Sequence, residues 1–172
     1  MVRKSLQDNA SSNPSRLSLL PPSDNSDESS LPQDSNRDKY CFFYGTLMDP
    51  DTLSKVLGSS RRPHILRPAR IIGYQIKLWG PYPALLDDKP LHPVDGMVCG
   101  LLSPMELDRI AAYETDNYHL QDCLIEVLDD DGNTKKTIEG VTLMWSGRHD
   151  ELWDGTFDLK QWRKEKQLSE LD

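Results

Sequence analysis

The chain has 172 residues and a formal net charge of −8, from 28 acidic and 20 basic side chains. That length suits one domain better than two, and the negative charge disfavours nucleic-acid backbones and anionic lipid surfaces as partners. No apolar run approaches the ~20 residues that a membrane-spanning helix needs, and the first ten residues lack the apolar core of a secretory signal. We therefore expect no nucleic-acid partner and no membrane partner.

The N-terminal segment differs in composition from the rest of the chain. Residues 1–37 contain ten serines, four prolines and no aromatic residue. Such a segment buries too little apolar surface to offset the entropy that is lost on ordering. We therefore expect a disordered Ser/Pro-rich tail over 1–37 and one folded domain over 38–172.

The folded part is predicted to begin with a strand and a helix. Residues 40–44, Tyr-Cys-Phe-Phe-Tyr, have the length and the aromatic content of a strand. Asp49 and Pro50 then supply a helix cap and a first-turn proline, an apolar stripe follows, and Gly58 marks the end. This segment therefore predicts a short helix directly after the first strand.

Strand patterns account for most of the remaining chain. Residues 69–79 alternate in hydropathy as one strand would, and residues 94–102 form another strand candidate. A second helix is predicted to begin at Ser103, where Ser-Pro-Met-Glu matches a capping box. Residues 123–128 and 137–145 flank an acidic, glycine-containing turn that is typical of a hairpin. About six short strands favour an α+β fold, a closed or nearly closed barrel with peripheral helices.

No pattern predicts a metal site or a disulfide framework. The four histidines form no short ligand pair with each other or with a cysteine. A calcium loop with Gly132 at its glycine position would need oxygen ligands at Val127 and Ile138, which have none. The three cysteines are odd in number and widely spaced, as in proteins of a reducing compartment. We therefore expect a cytoplasmic protein without a bound metal.

The first candidate site is the loop after the first strand, Tyr44-Gly45-Thr46-Leu47-Met48. Glycine permits a tight turn and lets a ligand approach the peptide groups closely. Amides beside a helix N-terminus suit a carboxylate or an oxyanion. The same residues also fit an ordinary strand-to-helix turn, in which the following aspartate caps the helix and uses some of those donors. Taken alone, the loop favours the ordinary turn.

The second candidate is Glu114. On the helix that begins at Ser103, Glu114 is the i+7 member of the apolar stripe of Leu107, Ile110 and Ala111. A carboxylate on a buried helix face is costly unless it is used or satisfied. The alternatives are a frayed helix end that leaves the side chain in water, or a structural hydrogen bond to one of the two flanking tyrosines.

Together these elements resemble the gamma-glutamyl cyclotransferase-like family, which includes the gamma-glutamylamine cyclotransferases and their plant and fungal relatives. The likeness covers about residues 40–162 and looks closest to fungal members. The matching segments are, in chain order, Tyr44-Gly45-Thr46-Leu47, Gly73-Tyr74, Leu78 with Gly80-Pro81-Tyr82-Pro83-Ala84, Val94-Asp95-Gly96, Tyr113-Glu114 with Tyr118, and Val141 to Trp145.

The resemblance implies a small mixed β-barrel with a pocket at one end. It also implies an intramolecular aminolysis that converts a small γ-glutamyl amine or peptide to 5-oxoproline and a free amine, with no cofactor. Glu114 would transfer the protons as general acid and base, and the loop of residues 44–48 would bind the substrate carboxylate or the oxyanion. Tyr82 and Tyr118 would form walls of the pocket.

Three positions depart from the family pattern. Ala111 stands where the family often has an aspartate, Thr115 where a glycine often follows the glutamate, and Leu120 where an arginine is common. The missing arginine affects the expected substrate more than the expected fold. Two alternatives therefore remain, a fungal biosynthetic enzyme of the same fold that acts on another substrate, and an anion-binding module without catalysis.

Overall fold

The computed structural model describes residues 37–58, 64–88 and 92–169. The tail expected over 1–37 lies outside these residues, apart from its last position. The helices in the described segments are α1 (Pro50–Leu57), α2 (Pro104–Tyr113) and α3 (Leu159–Ser169), with short 3-10 helices at Thr46–Met48 and His149–Glu151. Within these segments, no helix combines the length and the apolar character that crossing a membrane requires.

Five strands close into a mixed barrel. The described segments contain seven strands in all, which are, in chain order, β1 (Lys39–Phe43), β2 (Leu66–Ile72), β3 (Tyr74–Trp79), β4 (Tyr82–Asp87), β5 (Pro93–Leu102), β6 (Tyr118–Leu128) and β7 (Thr134–Trp145). The barrel order is β1-β5-β2-β6-β7, in which β7 returns to pair with β1 in parallel. The other neighbours in the barrel are antiparallel. The α+β barrel with peripheral helices that the sequence predicts is confirmed.

One face of this sheet forms the inside of the barrel. Paired residues point to the same side of a sheet, and the register places Phe42 beside Val98 and Ala69 beside Val127. All four side chains are buried. At Gly96, on the same face, a Cβ atom would come within 2.6 Å of the Phe42 ring. Glycine at this position therefore allows β1 and β5 to pack closely.

The prediction of one strand over residues 69–79 is wrong. Gly73 adopts a left-handed conformation (φ 95°) and separates β2, a barrel strand, from β3, which pairs with β4 in a two-stranded sheet. The two-residue alternation of hydropathy continues across the break, so it does not reveal the change of chain direction that glycine permits. The hairpin of β3 and β4 presents Tyr82 and Pro83 to one end of the barrel.

The predicted hairpin of β6 and β7 is confirmed, but both strands are longer than expected. Its turn is closed by hydrogen bonds between Asp129 and Asn133 and from the Gly132 amide to the Asp129 carbonyl. β6 starts at Tyr118, which pairs with Trp145 at the far end of β7. The extra pairs form at the ends of the two strands that lie farthest from the turn, and they place Tyr118 beside the end of β7.

Both predicted helix starts are confirmed in detail. The Asp49 carboxylate caps α1 by accepting a hydrogen bond from the Thr52 amide at 3.0 Å. Ser103 and Glu106 form the predicted capping box at the start of α2. Each cap satisfies amides that the first helical turn leaves unpaired.

The three cysteines are free and buried. Cys41 and Cys99 are cross-strand partners on β1 and β5. Burial raises the pKa of the Cys41 thiol, that of Cys99 to about 11 and that of Cys123 to about 12. At neutral pH they are protonated and pack as small apolar side chains.

Candidate active site

The loop after β1 packs tightly against the β3–β4 hairpin. A Cβ atom on Gly45 would come within 2.9 Å of the Pro83 ring, so the glycine is required by this close approach rather than by an unusual φ angle. Over the described residues, the amides of Gly45, Thr46 and Leu47 donate no hydrogen bond. Three donors are therefore available at the start of the 3-10 helix.

A small recess lies between this loop and the start of β6. Its lining residues are Phe43, Tyr44, Gly45, Thr46, Leu47, Tyr82, Pro83, Glu114, Tyr118 and Leu143. All the residues that the sequence nominated for the site are among them except Met48. The Met48 amide donates to the Gly45 carbonyl at 3.0 Å, and its side chain packs on the core. The structure thus brings together the loop, the carboxylate and both nominated tyrosines.

Glu114 lies at the C-terminal cap of α2, one residue beyond the helix itself. Its amide still donates to the Ile110 carbonyl at 3.1 Å, so the side chain keeps the helical phase that the sequence predicted. The next residue, Thr115, has a left-handed backbone (φ 69°) that ends the helix. Leu107 and Ile110 are buried beneath this end of the helix, and Glu114 is half-buried.

The carboxylate of Glu114 is desolvated by burial, and no cation among the described residues pairs with it. Burial raises its pKa from 4.5 to about 7. No described group forms a hydrogen bond or an ion pair with it. The hydroxyls of the flanking tyrosines are engaged elsewhere, since Tyr118 donates to the Pro83 carbonyl at 3.0 Å and Tyr113 lies 3.5 Å from the Thr46 hydroxyl. This geometry favours neither a structural hydrogen bond nor a side chain free in water.

Two buried tyrosines form the polar walls of the recess. The Tyr44 hydroxyl donates to the Leu143 carbonyl at 2.5 Å. Burial, together with the nearby Glu114 carboxylate, raises the pKa of both Tyr44 and Tyr118. Both phenols are therefore neutral at physiological pH, and their hydrogen bonds attach the walls to β7 and β4.

Sequence reasoning missed part of the recess. Phe43 and Leu143 line it, but neither was nominated, since each looks like an ordinary core residue of its strand. Behind Tyr118, the ring of Trp145 lies 5.3 Å from the Tyr118 ring and 5.3 Å from the Trp79 ring. The only signal of Trp79 and Trp145 in the sequence is that each is an aromatic residue at the end of a strand.

The far end of the loop is fixed by an ion pair. One oxygen of Asp49 accepts hydrogen bonds from Thr52, and the other lies 2.5 Å from an Arg163 nitrogen on α3. Burial alone would raise the pKa of Asp49, but these partners outweigh it and lower the pKa. Asp49 caps the helix as expected, and it leaves the amides of residues 45–47 unused.

The residues of the recess are suited to proton transfer and to anion binding. Among the described residues, no group of three or more His, Cys, Asp or Glu side chains could hold a metal ion. The recess instead combines one desolvated carboxylate with free backbone amides. These are the groups that an acyl transfer with proton movement would use.

Comparisons with known proteins agree with this fold. The solution structure of At3g28950.1 from Arabidopsis thaliana is similar, with 24% identity, a TM-score of 0.57 and coverage of 78% of each chain. That of At5g39720.1 from the same plant has 22% identity and a TM-score of 0.53, covering 76% of this chain and 84% of the other. At these identities the likeness shows the fold alone.

Similarity in sequence goes further than the fold. No curated protein matches the chain. The family model described as "Gamma-glutamyl cyclotransferase, AIG2-like" matches residues 41–164. This match includes residues of every barrel strand and every nominated site residue, and it extends over more than half of the chain. The chain therefore belongs to the gamma-glutamyl cyclotransferase, AIG2-like family.

Proposed function

We propose that the protein is a γ-glutamyl cyclotransferase that converts a γ-glutamyl amine or peptide to 5-oxoproline and a free amine. The α-amine of the substrate attacks its own γ-carbonyl carbon, and the bond from that carbon to the leaving nitrogen breaks. The observation that carries the proposal is the half-buried, unpaired Glu114 in the recess. Family membership supports the reaction class.

Glu114 would act as base and then as acid. Its carboxylate first takes a proton from the substrate ammonium, which frees the lone pair for attack. The protonated acid then gives that proton to the leaving nitrogen, and the second proton that the ring nitrogen loses as the lactam forms ends on the released amine as its ammonium, so the enzyme returns to its starting state. A pKa of about 7 suits both steps, because a catalytic group works best near the operating pH.

The amides of Gly45, Thr46 and Leu47 would bind the negative charge. In the tetrahedral intermediate the former carbonyl oxygen carries that charge, and a preorganised donor stabilises it by roughly 3 kcal/mol in well-studied sites. The same amides could instead bind the α-carboxylate of the substrate. Both uses require the donors to lack protein acceptors, which is the arrangement observed.

Entry of a substrate requires movement of a wall. The recess has a volume of about 20 Å³, which is room for about one water molecule. A γ-glutamyl group is larger. Tyr82 is 44% exposed, so it is the lining side chain that can turn away at the smallest loss of buried contact. We infer that Tyr82 moves when substrate binds.

The departures from the family pattern bear on the substrate. Leu120, where an arginine is common, lies half-buried in β6 against the core. It offers no charge to an anionic leaving group, which keeps open the alternative that a fungal relative of this type acts on another substrate. Kinship with fungal members and action in the cytoplasm belong to the proposal as well, the latter because the three scattered cysteines form no disulfide.

Release of 5-oxoproline from a panel of γ-glutamyl amines and peptides tests the proposal. We expect turnover of at least one panel member and its loss in Glu114→Gln. A matched control is Glu139→Gln, an exposed glutamate on β7, which should leave turnover unchanged. Binding of panel members without turnover would instead indicate the anion-binding module. Neither binding nor turnover would favour the enzyme with a different substrate.

A further inference from the structure

A second and larger cavity lies at the other end of the same barrel. The recess lies beyond the end of β1 and at the start of β6. The second cavity lies at the start of β1, beside Tyr40, and at the end of β6, beside Val127. It has a volume of about 490 Å³ and takes lining residues from all five barrel strands. We refer to it as the open mouth.

Gly100 contributes to the volume of the open mouth because it places no side chain on the inward face. At Gly100 a Cβ atom would have ordinary contact, at 3.6 Å, with the Tyr40 ring. Deeper in the same strand, Gly96 has no such space. The barrel is therefore filled at its centre and empty at this end, with Val98 and Val127 as an apolar floor.

Two cations lie above this floor. Arg67 is the cross-strand partner of Val98, and Lys136 is the partner of Val127. Because paired residues share a face, both basic side chains start from inward-facing positions, and both line the cavity. Leu101 adds an apolar rim that is 50% exposed and has a left-handed backbone (φ 42°). Strain of that kind in a non-glycine residue concentrates at functional sites.

Two acids also line the cavity, and they limit where an anion can bind. Glu106 is engaged in the α2 capping box, where it accepts hydrogen bonds at 2.9 Å from both the amide and the hydroxyl of Ser103. Asp38 is exposed just before β1. An anionic group would therefore bind on the side of Arg67 and Lys136, away from these carboxylates.

We propose that the open mouth binds a small anionic amphiphile, with its charged group between Arg67 and Lys136 and its apolar part on Val98 and Val127. Cavities of roughly 300–1,000 Å³ with apolar walls and a few polar groups are typical of small-molecule sites, and barrel mouths are a common place for them. This site is separate from the recess, so the proposal does not depend on the cyclotransferase reaction.

Calorimetric titration of the full chain with decanoate, and with decanol as its neutral match, tests the proposal. We expect saturable binding of decanoate at a single site and binding of decanol that is about tenfold weaker. The Arg67→Ala/Lys136→Ala variant should lose about tenfold in decanoate affinity, since each exposed charge pair contributes a modest share. Lys135→Ala is the matched control, because its position adjoins Lys136 but does not line the cavity, and it should bind as wild type does.

Two further variants distinguish this site from unspecific binding. Gly100→Phe places a large side chain in the mouth from a position where a Cβ atom has only ordinary contact, so it should abolish decanoate binding while the melting temperature is retained. Asp38→Asn removes the facing acid and should strengthen decanoate binding. Absence of saturable binding, equal affinity for decanol, or normal decanoate binding by Gly100→Phe would each overturn the proposal.

Discussion

At one end of the barrel, Tyr44 and Tyr118 close around Glu114 and leave about 20 Å³, whereas the open mouth at the other end has about 490 Å³ and is lined by Arg67 and Lys136. Between these two cavities, volume would select the open mouth as the functional site. A perturbed carboxylate selects the closed recess instead. The two criteria disagree because proton transfer needs a desolvated group, whereas binding an amphiphile needs space. Each end therefore has to be tested by its own variants.

The largest expected effect separates the two ends by function. Glu114→Gln keeps the shape of the recess and removes the base, so 5-oxoproline release should fall roughly 100-fold or more. Decanoate binding at the open mouth should be unchanged in this variant. The Arg67→Ala/Lys136→Ala variant should show the opposite pattern. Loss of both properties in either variant would mean that the ends are not independent.

The Glu114→Gln substitution also has a pH-dependent effect on stability. The pKa of Glu114 is about 7 in the folded protein and about 4.5 when unfolded, so the folded state binds the extra proton between these values. The contribution of Glu114 to stability is therefore complete below pH ~4.5 and is lost as the pH rises through ~7. Glu114→Gln should thus gain stability relative to wild type above pH 7, by on the order of 1–3 kcal/mol. Equal urea midpoints for both proteins at pH 8 would contradict this.

A smaller effect is expected from substitution of the glycine at each end of the barrel, Gly45 beside the recess and Gly100 at the open mouth. Gly45→Ala forces a Cβ atom towards the Pro83 ring at 2.9 Å, so it should destabilise the fold by about 1–3 kcal/mol and lower turnover roughly tenfold. Gly100→Ala at the open mouth has an ordinary 3.6 Å contact and should change stability by less than ~0.5 kcal/mol. Chemical denaturation of both variants measures the difference. Equal effects would show that the Pro83 contact does not position the loop.

At Thr115, substitution should raise the stability of the protein rather than lower it. Its φ of 69° is costly for a residue with a branched side chain. Thr115→Gly should therefore stabilise the protein by about 0.5–1 kcal/mol. Asp116→Gly, at the next exposed position and without a positive φ, is the control and should destabilise slightly. A loss of stability in Thr115→Gly would mean that the threonine side chain compensates for its strain.

The smallest effect is expected at the chain's N-terminal segment. Residues 1–37 have a composition that is typical of disorder, so their removal should leave the melting temperature within about 2 °C of the full chain. Limited proteolysis should likewise leave a resistant core that begins near Tyr40. A drop of several degrees would show that the segment packs on the domain, and titration of the truncated protein with decanoate would then show whether it competes for the open mouth.

Local signals predicted much of this fold. Asp49, Gly58 and the Ser103–Glu106 capping box each act over a few residues, and they placed both helices correctly. The alternation of residues 69–79 was misleading, because one glycine can redirect a chain whose hydropathy pattern continues unchanged. Local sequence patterns therefore predict the positions of helices and strands more reliably than the relative orientation of consecutive elements.

The candidate site was only partly predictable for the same reason. Glu114 was found from its helical phase, which needs only the preceding ten residues. Leu143 lines the recess and Trp145 packs on Tyr118 because β7 pairs in register with β6, and no local pattern encodes that pairing. The open mouth was missed altogether, since Arg67, Gly100 and Lys136 come together only after the barrel closes.

The most direct test of the central claim is the titration of Glu114 itself. Carbon-13 NMR of side-chain carboxyl groups identifies its signal as the one that is missing in Glu114→Gln. A half-buried, unpaired catalytic carboxylate should titrate with a midpoint near pH 7, matching the acid limb of the turnover rate. A midpoint near the ordinary value of about 4.3, with an acid limb that does not follow it, would contradict the assignment of Glu114 as the catalytic acid and base.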